Sequence, residues 1–413
     1  MNEQEKFERL IQSSELLVRA ANERGDDFSI LTELYGDPSH FVYEILQNAE
    51  DVGATKVEFE LFNDRIEIIH NGQRDFIFED VRGIVRTGNS IKKDDINKLG
   101  KFGVGFKSIF AITNEPKIHS GEYHFCIKDL FIPERISPIS LTGTKFILPF
   151  KHKKRTEKEI YELIKFRLQN IGATFLLFLS NIQEVSWKNG EFYGFYSKKI
   201  SPVKGLENVW KASIQSEHNS KNYLIFGKSV NFGEKKLFVK IAYQLQGAKI
   251  VPISREHFLH AFFETNVRTS LNFLIHAPFR TTPARDNIPF ENPDNIRLIE
   301  SLSDLVAESI EVIRDLGKLS VDFYEKVLPL REPELQGIIY SKFYEKVLKI
   351  SETKRVLPSS IKNKFVLAEN ALVAKEKDLV RLLNSKDLKK IFRKSHFLDA
   401  NITSDKTPNF WRY

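Results

Sequence analysis

One short segment carries acidic and amide side chains at a spacing that suits chemistry on a bound ligand. In "EILQNAED" the residues Glu44, Asn48 and Asp51 recur at i, i+4 and i+7. On a helix this spacing places all three side chains on one face. Buried polar groups each need a partner, so such a face belongs either to a ligand site or to a solvent-exposed surface. Both interpretations are open at this point.

A glycine-rich segment, "GKFGVGFKS" at 100–108, indicates a backbone cradle for an anion. A Walker A loop requires lysine directly after Gly105, but Phe106 stands there and Lys107 comes one residue late. A Rossmann fingerprint is also excluded, because no βαβ pattern surrounds the glycines. Glycine permits unusual φ angles and close backbone approach to phosphate. The segment therefore predicts a phosphate-binding loop of another class.

Composition limits the kind of protein. The chain has 413 residues, of which 41% are hydrophobic and 12% aromatic, so we expect a folded protein of two or three domains. Its single cysteine, Cys126, excludes an intramolecular disulfide and fits a reducing compartment. The N-terminal residues have no signal-peptide pattern, and no uninterrupted apolar run reaches 18 residues. These features predict a cytoplasmic protein.

Positive charge is concentrated near the end of the chain. Residues 340–413 carry 17 Lys and Arg against 8 Asp and Glu, whereas the whole chain has a net charge of +7. Such a region is either a surface for nucleic acid or another acidic partner, or a set of solvated lysine-rich helices.

The order of the periodic segments predicts an α+β fold. Helical spacing covers 1–25 and resumes from Pro38, and alternation predicts a β-hairpin over Lys56–His70. A short helical pattern then leads to the polar stretch "GNSIKKDDINK", which has the character of a lid, and further strands follow. We place domains at 1–152, 153–316 and 317–413, the last mainly helical and basic. The terminal "NFWRY" suggests continuation in a longer protein.

The segments resemble the motifs of the GHKL ATPases, which include gyrase, the ninety-kilodalton heat-shock chaperones, histidine kinases and MutL. "EILQNAED" is similar to the family's E-x-x-x-N-A-x-D, "GKFGVGF" to its G-x-x-G-x-G loop, and Gly143-Thr144 to its late Gly-Thr. The resemblance covers about 28–150. It implies an N-terminal Bergerat-type α/β sandwich, with an antiparallel mixed sheet covered by helices, followed by a transducer-like α+β domain.

The same resemblance implies roles for individual residues. Glu44 would be the general base for ATP hydrolysis, and Asn48 would supply an oxygen to Mg²⁺. Lys101 or Lys107 would pair with phosphate charge, or else lie in solvent. The expected nucleotide-binding set is Asn48, Asp51, His70, Asn71, Gly72, Gly100, Lys101, Phe102, Gly103, Val104, Gly105, Phe106, Lys107 and Thr144.

One motif departs from the family pattern. Where the family has D-x-G-x-G, this chain has "HNGQR", with His70 in the place of the adenine-binding aspartate and Arg74 in place of the second glycine. A neutral His70 or the amide of Asn71 can still form a hydrogen bond with a purine. Purine selectivity is left open.

This variant and two longer stretches, "GKFGVGFKSIFAIT" and "FLIHAPFRTTPARDNI", resemble the sacsin-like branch near the heat-shock chaperones. In those chaperones an arginine of the second domain reaches the γ-phosphate. "PARDNI" gives that role to Arg285, and the alternative is an ion pair of Arg285 with Asp286 or Asp294.

The resemblance implies a slow Mg²⁺-dependent ATPase in which ATP closes a lid at about 84–102 and drives dimerisation of the N-terminal domain. The output would be chaperone-like remodelling of a protein client through an effector. Two alternatives remain: a nucleic-acid-directed ATPase of the MORC or MutL kind, with a role in antiviral defence, and a nucleotide-gated binding module without hydrolysis.

Overall fold

The computed structural model describes ten stretches of the chain. They are residues 2–25, 37–86, 105–190, 192–232, 235–254, 257–282, 287–329, 338–374, 377–403 and 405–411. Contacts divide the chain into two compact units. The first consists mainly of Met1–Lys199 and Ile214–Ser220, and the second of Ile200–Ser213, Lys221–Thr282 and Asp286–Tyr413.

The first unit is built on a mixed sheet. Its strands are β1 (Lys56–Leu61), β2 (Arg65–His70), β3 (Lys117–Ser120), β4 (Tyr123–Lys128), β5 (Ile132–Arg135), β6 (Thr144–Pro149), β7 (Glu184–Asn189) and β8 (Phe192–Pro202). Their order across the sheet is β8-β7-β1-β2-β6-β3-β4-β5. Neighbouring strands are antiparallel except β1 and β7, which pair in parallel.

The predicted hairpin forms because its hydrophobic residues alternate. Val57, Phe59 and Leu61 of β1 are at most 2% exposed, while the residues between them are not buried. Strand residues at every second position share a face, so one face of β1 and β2 packs against the core.

Among its described residues, the first unit has four helices: α1 (Glu3–Arg24), α2 (Phe41–Asp51), α3 (Phe78–Val85) and α4 (Glu157–Gln169). The same residues include three 3-10 helices, Pro38–His40, Gly105–Ala111 and Ala173–Phe178. Capping boxes begin α1 at Asn2 and α4 at Thr156, where each side chain accepts the backbone N–H three residues on. A mixed sheet covered by helices confirms the predicted α+β sandwich.

Helix α2, which carries the "EILQNAED" residues, is buried along most of its surface. Its aliphatic side chains Val42, Ile45 and Leu46 are fully buried, but so are the polar Glu44 and Gln47, at 2% and 0% exposure. A helix buried on several sides must find internal partners for its polar groups. Those partners determine where the helix lies.

Glu50 provides one such partner set. Its carboxylate accepts hydrogen bonds from the backbone N–H groups of Ser180 at 2.5 Å, Asn181 at 2.9 Å and Ile182 at 2.9 Å. The side chain of Asn181 donates in return to the carbonyl of Glu50 at 3.0 Å. Charge-assisted bonds of this kind are the stronger class. They fix α2 to the chain that leads into β7.

The second unit contains a separate set of strands and helices. Its strands are β9 (Val209–Ser216), β10 (Ser220–Phe232), β11 (Lys235–Gln246), β12 (Lys249–Val251), β13 (Phe258–Ala261), β14 (Phe263–Arg268) and β15 (Leu274–His276). Their order is β14-β13-β15-β11-β10-β9, and β12 pairs with β11. The helix α5 (Pro293–Asp315) packs on β11, where the hydroxyls of Tyr243 and Ser309 lie 3.0 Å apart.

Short elements follow in the basic region. The helices are α6 (Val321–Lys326), α7 (Ile338–Thr353), α8 (Lys377–Leu382), α9 (Ser385–Phe392) and α10 (Pro408–Trp411). Two small sheets pair β16 (Leu357–Pro358) with β17 (Phe365–Val366), and β18 (Ala371–Leu372) with β19 (His396–Phe397). In the described stretches, no helix has the length and apolar character needed to cross a membrane.

The contact-based units begin and end at other residues than the domains proposed from the sequence. Residues 157–189 lie in the first unit, because α4 and β7 belong to it. The division into 1–152, 153–316 and 317–413 stays a prediction.

Replacing Glu50 by glutamine tests the anchor of α2. The amide would present N–H groups to backbone N–H donors, and hydrogen bonds to a charged acceptor contribute about 1.5–3 kcal/mol. We expect the free energy of unfolding to fall by about 2–3 kcal/mol in urea titrations followed by circular dichroism. Glu58→Gln is the control, since that exposed carboxylate pairs with Lys56 on the surface at 2.7 Å. Equal losses in the two variants would contradict the anchor.

Candidate functional site

The carboxylate of Glu44 lies directly against the end of the glycine-rich segment. A Cβ placed on Gly105 would be 1.9 Å from Glu44 Oε2, so any larger residue at 105 would have to displace the carboxylate. The φ angle of Gly105 is not in the left-handed region, and close approach alone requires glycine there. The structure thus brings Glu44 of "EILQNAED" into contact with Gly105 of the glycine-rich segment.

A histidine missed at the sequence level also faces this carboxylate. His40 ends the 3-10 helix before α2, and its Nε2 lies 3.6 Å from Glu44 Oε1. The two residues are at i and i+4, a spacing that could have pointed to the pair. A histidine in this position can orient the carboxylate and alter its basicity.

Asn48 and Asp51 continue the stripe of Glu44 toward the end of α2. Glu44 is buried, whereas Asn48 and Asp51 are both half-buried. The stripe therefore passes from the interior toward solvent. An entirely exposed polar face does not fit Glu44, but a face that a ligand can reach fits all three residues.

Two further buried polar groups lie on α2 and on the 3-10 helix that it contacts. Gln47 is 0% exposed and Ser108 is 1% exposed. Neither the amide of Gln47 nor the hydroxyl of Ser108 has a hydrogen-bond partner in the part of the chain that is described. Unpaired buried polar atoms are rare in native proteins and call for a bound group or water.

Lys107 has an environment that the sequence did not predict. It is 0% exposed, and its ammonium donates to the carbonyls of Val85, at 3.1 Å, and Leu130. The ring of Phe131 lies 4.6 Å from Nζ. Neither the expected phosphate pairing nor solvent exposure describes this position. Lys107 instead joins the end of α3 to the connection between β4 and β5.

The "HNG" residues lie beside the Gly-Thr motif. In the sheet, His70 of β2 pairs with Thr144 of β6. Gly143 has φ +87°, and a Cβ there would be 2.2 Å from the carbonyl oxygen of His70. Thr144 is 1% exposed, and its hydroxyl lies 2.6 Å from that of Ser120. The "HNG" segment and the Gly-Thr motif therefore form one cluster.

His70 is buried and neutral. Burial lowers its pKa to about 4, and Nδ1 accepts a hydrogen bond from the N–H of Gly72 at 3.2 Å. Gly72 is in close contact as well, since a Cβ there would lie 2.8 Å from Val52. With Nδ1 used as acceptor, the second ring nitrogen carries the proton and is a donor. The family's aspartate, by contrast, is an acceptor.

The side chain of Asn71 forms hydrogen bonds within the protein. Its Oδ1 accepts from the N–H groups of Thr55 at 2.9 Å and Lys56 at 2.8 Å, and its Nδ2 donates to the Thr55 hydroxyl at 2.8 Å. The amide thus holds the start of β1. The expectation that this amide contacts a purine does not match these bonds.

Several predicted residues lie outside the described stretches. They are Gly100, Lys101, Phe102, Gly103, Val104 and Arg285, together with Asp286, the possible partner of Arg285. Phe106 is described and is 6% exposed, with its ring 5.9 Å from that of Phe146.

The polar residues of the site suit a nucleotide with its Mg²⁺ ion. The contact of Gly105 with Glu44 and the unpaired atoms of Gln47 and Ser108 suit a polar ligand. For Mg²⁺, the described residues contain no cluster of three His, Cys, Asp or Glu side chains that could hold a metal. One amide oxygen from Asn48 with phosphate oxygens and water is an arrangement that Mg²⁺ accepts. The site fits Mg–ATP better than a metal ion alone.

The first unit is an α/β sandwich, and its motif clusters are similar to those of the GHKL ATPases. Residues 28–134 match the family model described as the sacsin domain. The protein NO VEIN of Arabidopsis thaliana is 25% identical over 344 residues, covering 72% of this chain and 12% of NO VEIN. Sacsin of Homo sapiens is 35% identical over 104 residues, covering 21% of this chain and 2% of sacsin. These similarities confirm the sacsin-like resemblance seen in the motifs.

The chain corresponds to a small part of these relatives, 12% and 2% of their lengths. Among solved structures, the gyrase B-subunit of Myxococcus xanthus aligns with 81% of this chain and 94% of its own length, at 10% identity and a TM-score of 0.39. The family placement rests on the sequence matches and the motifs.

Replacing Lys107 by methionine tests its buried position through pH. Burial lowers the lysine pKa from 10.5 to about 7, so between these values the unfolded chain holds a proton that the folded chain does not. Stability from this group is therefore lost as pH falls from 10.5 to 7 and constant below 7. Between pH 7 and pH 9, the free energy of unfolding measured in urea titrations should rise by about 2–3 kcal/mol more for wild type than for Lys107→Met.

Lys158→Met, at an exposed position on α4, is the matched control and should follow the wild-type pH dependence. If the stability of Lys107→Met also follows the wild-type pH dependence, the ammonium of Lys107 is not buried in solution.

Proposed function

We propose that this chain binds Mg–ATP and hydrolyses it slowly, acting as a nucleotide-controlled switch. The observation that carries the proposal is the buried carboxylate of Glu44, held between His40 and Gly105. A family match to the sacsin domain and GHKL motifs at Glu44, Asn48 and Gly143-Thr144 support it.

Glu44 is proposed as the general base. Hydrolysis requires a water aligned with the γ-phosphate and a group that accepts its proton. A carboxylate excluded from bulk solvent, with a histidine nitrogen 3.6 Å away, is placed for that task. His40 would orient the carboxylate of Glu44.

Asn48 is proposed to hold Mg²⁺, which when bound neutralises phosphate charge. The N–H groups at 100–106 would surround the phosphates, and Arg285 would contribute a cation from the second of the domains predicted from the sequence. Asp51, His70, Gly72 and Thr144 would contact the rest of the nucleotide. Because His70 offers a donor in place of an aspartate acceptor, the 6-amino group of adenine is a poorer partner for it than a 6-oxo group.

The switch would act through the region at about 84–102, which ATP would close, and through dimerisation of the N-terminal domain. Both follow from the family resemblance. The output we favour is remodelling of a protein client in the cytoplasm, through an effector supplied by the same or a partner polypeptide.

Glu44→Gln is expected to abolish turnover while leaving binding intact. The amide keeps the size and polarity of the side chain but cannot accept a proton, and loss of a general base costs about 100-fold or more in rate. Phosphate release measures turnover, and titration with a fluorescent ATP analogue measures affinity. Glu60→Gln, in an exposed ion pair with Lys188, is the control. Undiminished hydrolysis by Glu44→Gln would remove Glu44 as base, and no hydrolysis by wild type would favour the binding module.

Two glycine substitutions test whether the carboxylate must lie where it does. Gly105→Ala should reduce hydrolysis by about tenfold or more, because its methyl group would occupy the position of Glu44 Oε2. Gly83→Ala is the matched control, since a Cβ there meets nothing within 4 Å and alanine favours the helix. Equal rates in the two variants would show that the Gly105 contact is not required for turnover.

A further inference from the structure

Exposed cations are concentrated on one part of the second unit. We define the basic surface as Arg355, Lys364, Lys386, Lys389, Lys390 and Arg393, all of them exposed. In the described part of the chain, none of the six takes part in an ion pair. The positive charge of the basic surface is therefore not neutralised by ion pairs within the described residues.

Several cations elsewhere in the chain form ion pairs. On the sheet of the first unit, Lys56 pairs with Glu58 at 2.7 Å and Lys188 with Glu60 at 2.8 Å. On α7, Lys346 pairs with Asp304 of α5 at 2.5 Å. Neighbouring like charges repel unless a counter-charge offsets them. Their concentration on the basic surface points to a partner that supplies the negative charge.

Helix α9 arranges four of these cations as a ridge. Lys386, Lys389, Lys390 and Arg393 recur at i, i+3, i+4 and i+7, so they share one side of the helix and its C-cap. Leu388 lies on the opposite side and is 2% exposed, in a small core with Ala374 and Phe397. The ridge therefore faces away from the protein.

The nearby carboxylate of α9 has another function. Asp387 accepts a hydrogen bond from the N–H of Asn384 at 3.0 Å, while the Asn384 side chain accepts from the N–H of Asp387 at 3.2 Å. This capping box uses the acidic group to begin the helix. It does not neutralise the lysines.

Three elements bring their cations together around His396 of β19. Burial lowers the pKa of His396, and the positive charges of Lys364, Lys389 and Arg355 lower it further. These residues come from β16–β17, from α9 and from the segment after α7. The basic surface is thus continuous beyond the single helix.

Exposed apolar side chains lie beside the ridge. Ile391 is 59% exposed and Phe392 is 46% exposed. At 100° per residue, they lie on the two flanks of α9, between the ridge and the buried Leu388. A helix that lies in a bilayer needs its outermost side to be apolar, but here the outermost side is cationic. The arrangement favours a polyanionic chain with planar groups over a membrane.

We propose that the basic surface binds single-stranded nucleic acid, with the phosphates along the ridge of α9 and a base stacked on Phe392. An exposed ring beside lysines can stack on an unpaired base, whereas bases of a duplex are already stacked. This activity is separate from ATP binding and does not depend on it.

The first test measures binding of a fluorescent 30-nucleotide single strand to the full chain without ATP, by anisotropy at several salt concentrations. Each phosphate contact to a single strand contributes about 0.7 to the slope of log affinity against log salt, so we expect a slope of about −4. Replacing Lys386, Lys389 and Lys390 by glutamine should reduce this slope to about −2 and weaken binding by about tenfold or more.

The matched control replaces Lys199, Lys204 and Lys211, which are also exposed, by glutamine. It removes the same charge from another part of the chain and should leave affinity within about twofold. Equal weakening by both triple variants would overturn the proposal, because it would show attraction to net charge only.

The second test separates the kinds of partner. Phe392→Ala should weaken single-strand binding by about tenfold, since base stacking contributes about 1–3 kcal/mol per base. Duplex binding as tight as single-strand binding, with Phe392→Ala silent, would overturn the single-strand assignment. So would binding to phosphatidylserine vesicles with none to the oligonucleotide. Because ATP is absent, failure here leaves the ATPase proposal intact, and an inactive ATPase leaves this one intact.

Discussion

The close contact between the Glu44 carboxylate and the backbone of Gly105 is the constraint on which the site depends. The contact leaves no space for a side chain at position 105. Both α2, which carries Glu44, and the 3-10 helix that begins at Gly105 must therefore be held in place. Glu50 holds α2 by three backbone N–H groups near Asn181, and Lys107 holds the opposite side by the carbonyls of Val85 and Leu130. A buried carboxylate outside the expected ligand set and a buried lysine that was expected to pair with phosphate thus support the same contact.

Much of the fold could be predicted because its signals are local. The hairpin of β1 and β2 follows from alternation over a few residues, and α2 from apolar residues at helical spacing. The stripe of Glu44, Asn48 and Asp51 follows from the geometry of one helix. No sequence pattern predicted that the "HNG" and Gly-Thr segments pair, since the two are separated by about seventy residues in the sequence.

What could not be predicted depends on contacts between distant parts of the chain. From the sequence, we expected Lys107 either to pair with phosphate or to lie in solvent. Its partners are instead backbone carbonyls of other elements. Asn71 looked available for a purine until its bonds to Thr55 and Lys56 were known. Glu50 occupies a buried position of α2. A carboxylate at such a position predicts a buried hydrogen-bond donor, and this signal was available in the sequence.

The parallel pairing of β1 with β7 has a consequence for how this protein is made. Val57 pairs with Val185, so the centre of the sheet closes only after about 130 further residues have been added. Until then β1 presents an unpaired edge, which is a template for association with other chains. Such non-local pairing slows folding, because a long loop must close first. A nascent chain that has reached only residue 152 therefore carries both the exposed edge and a Glu50 carboxylate without its backbone N–H partners.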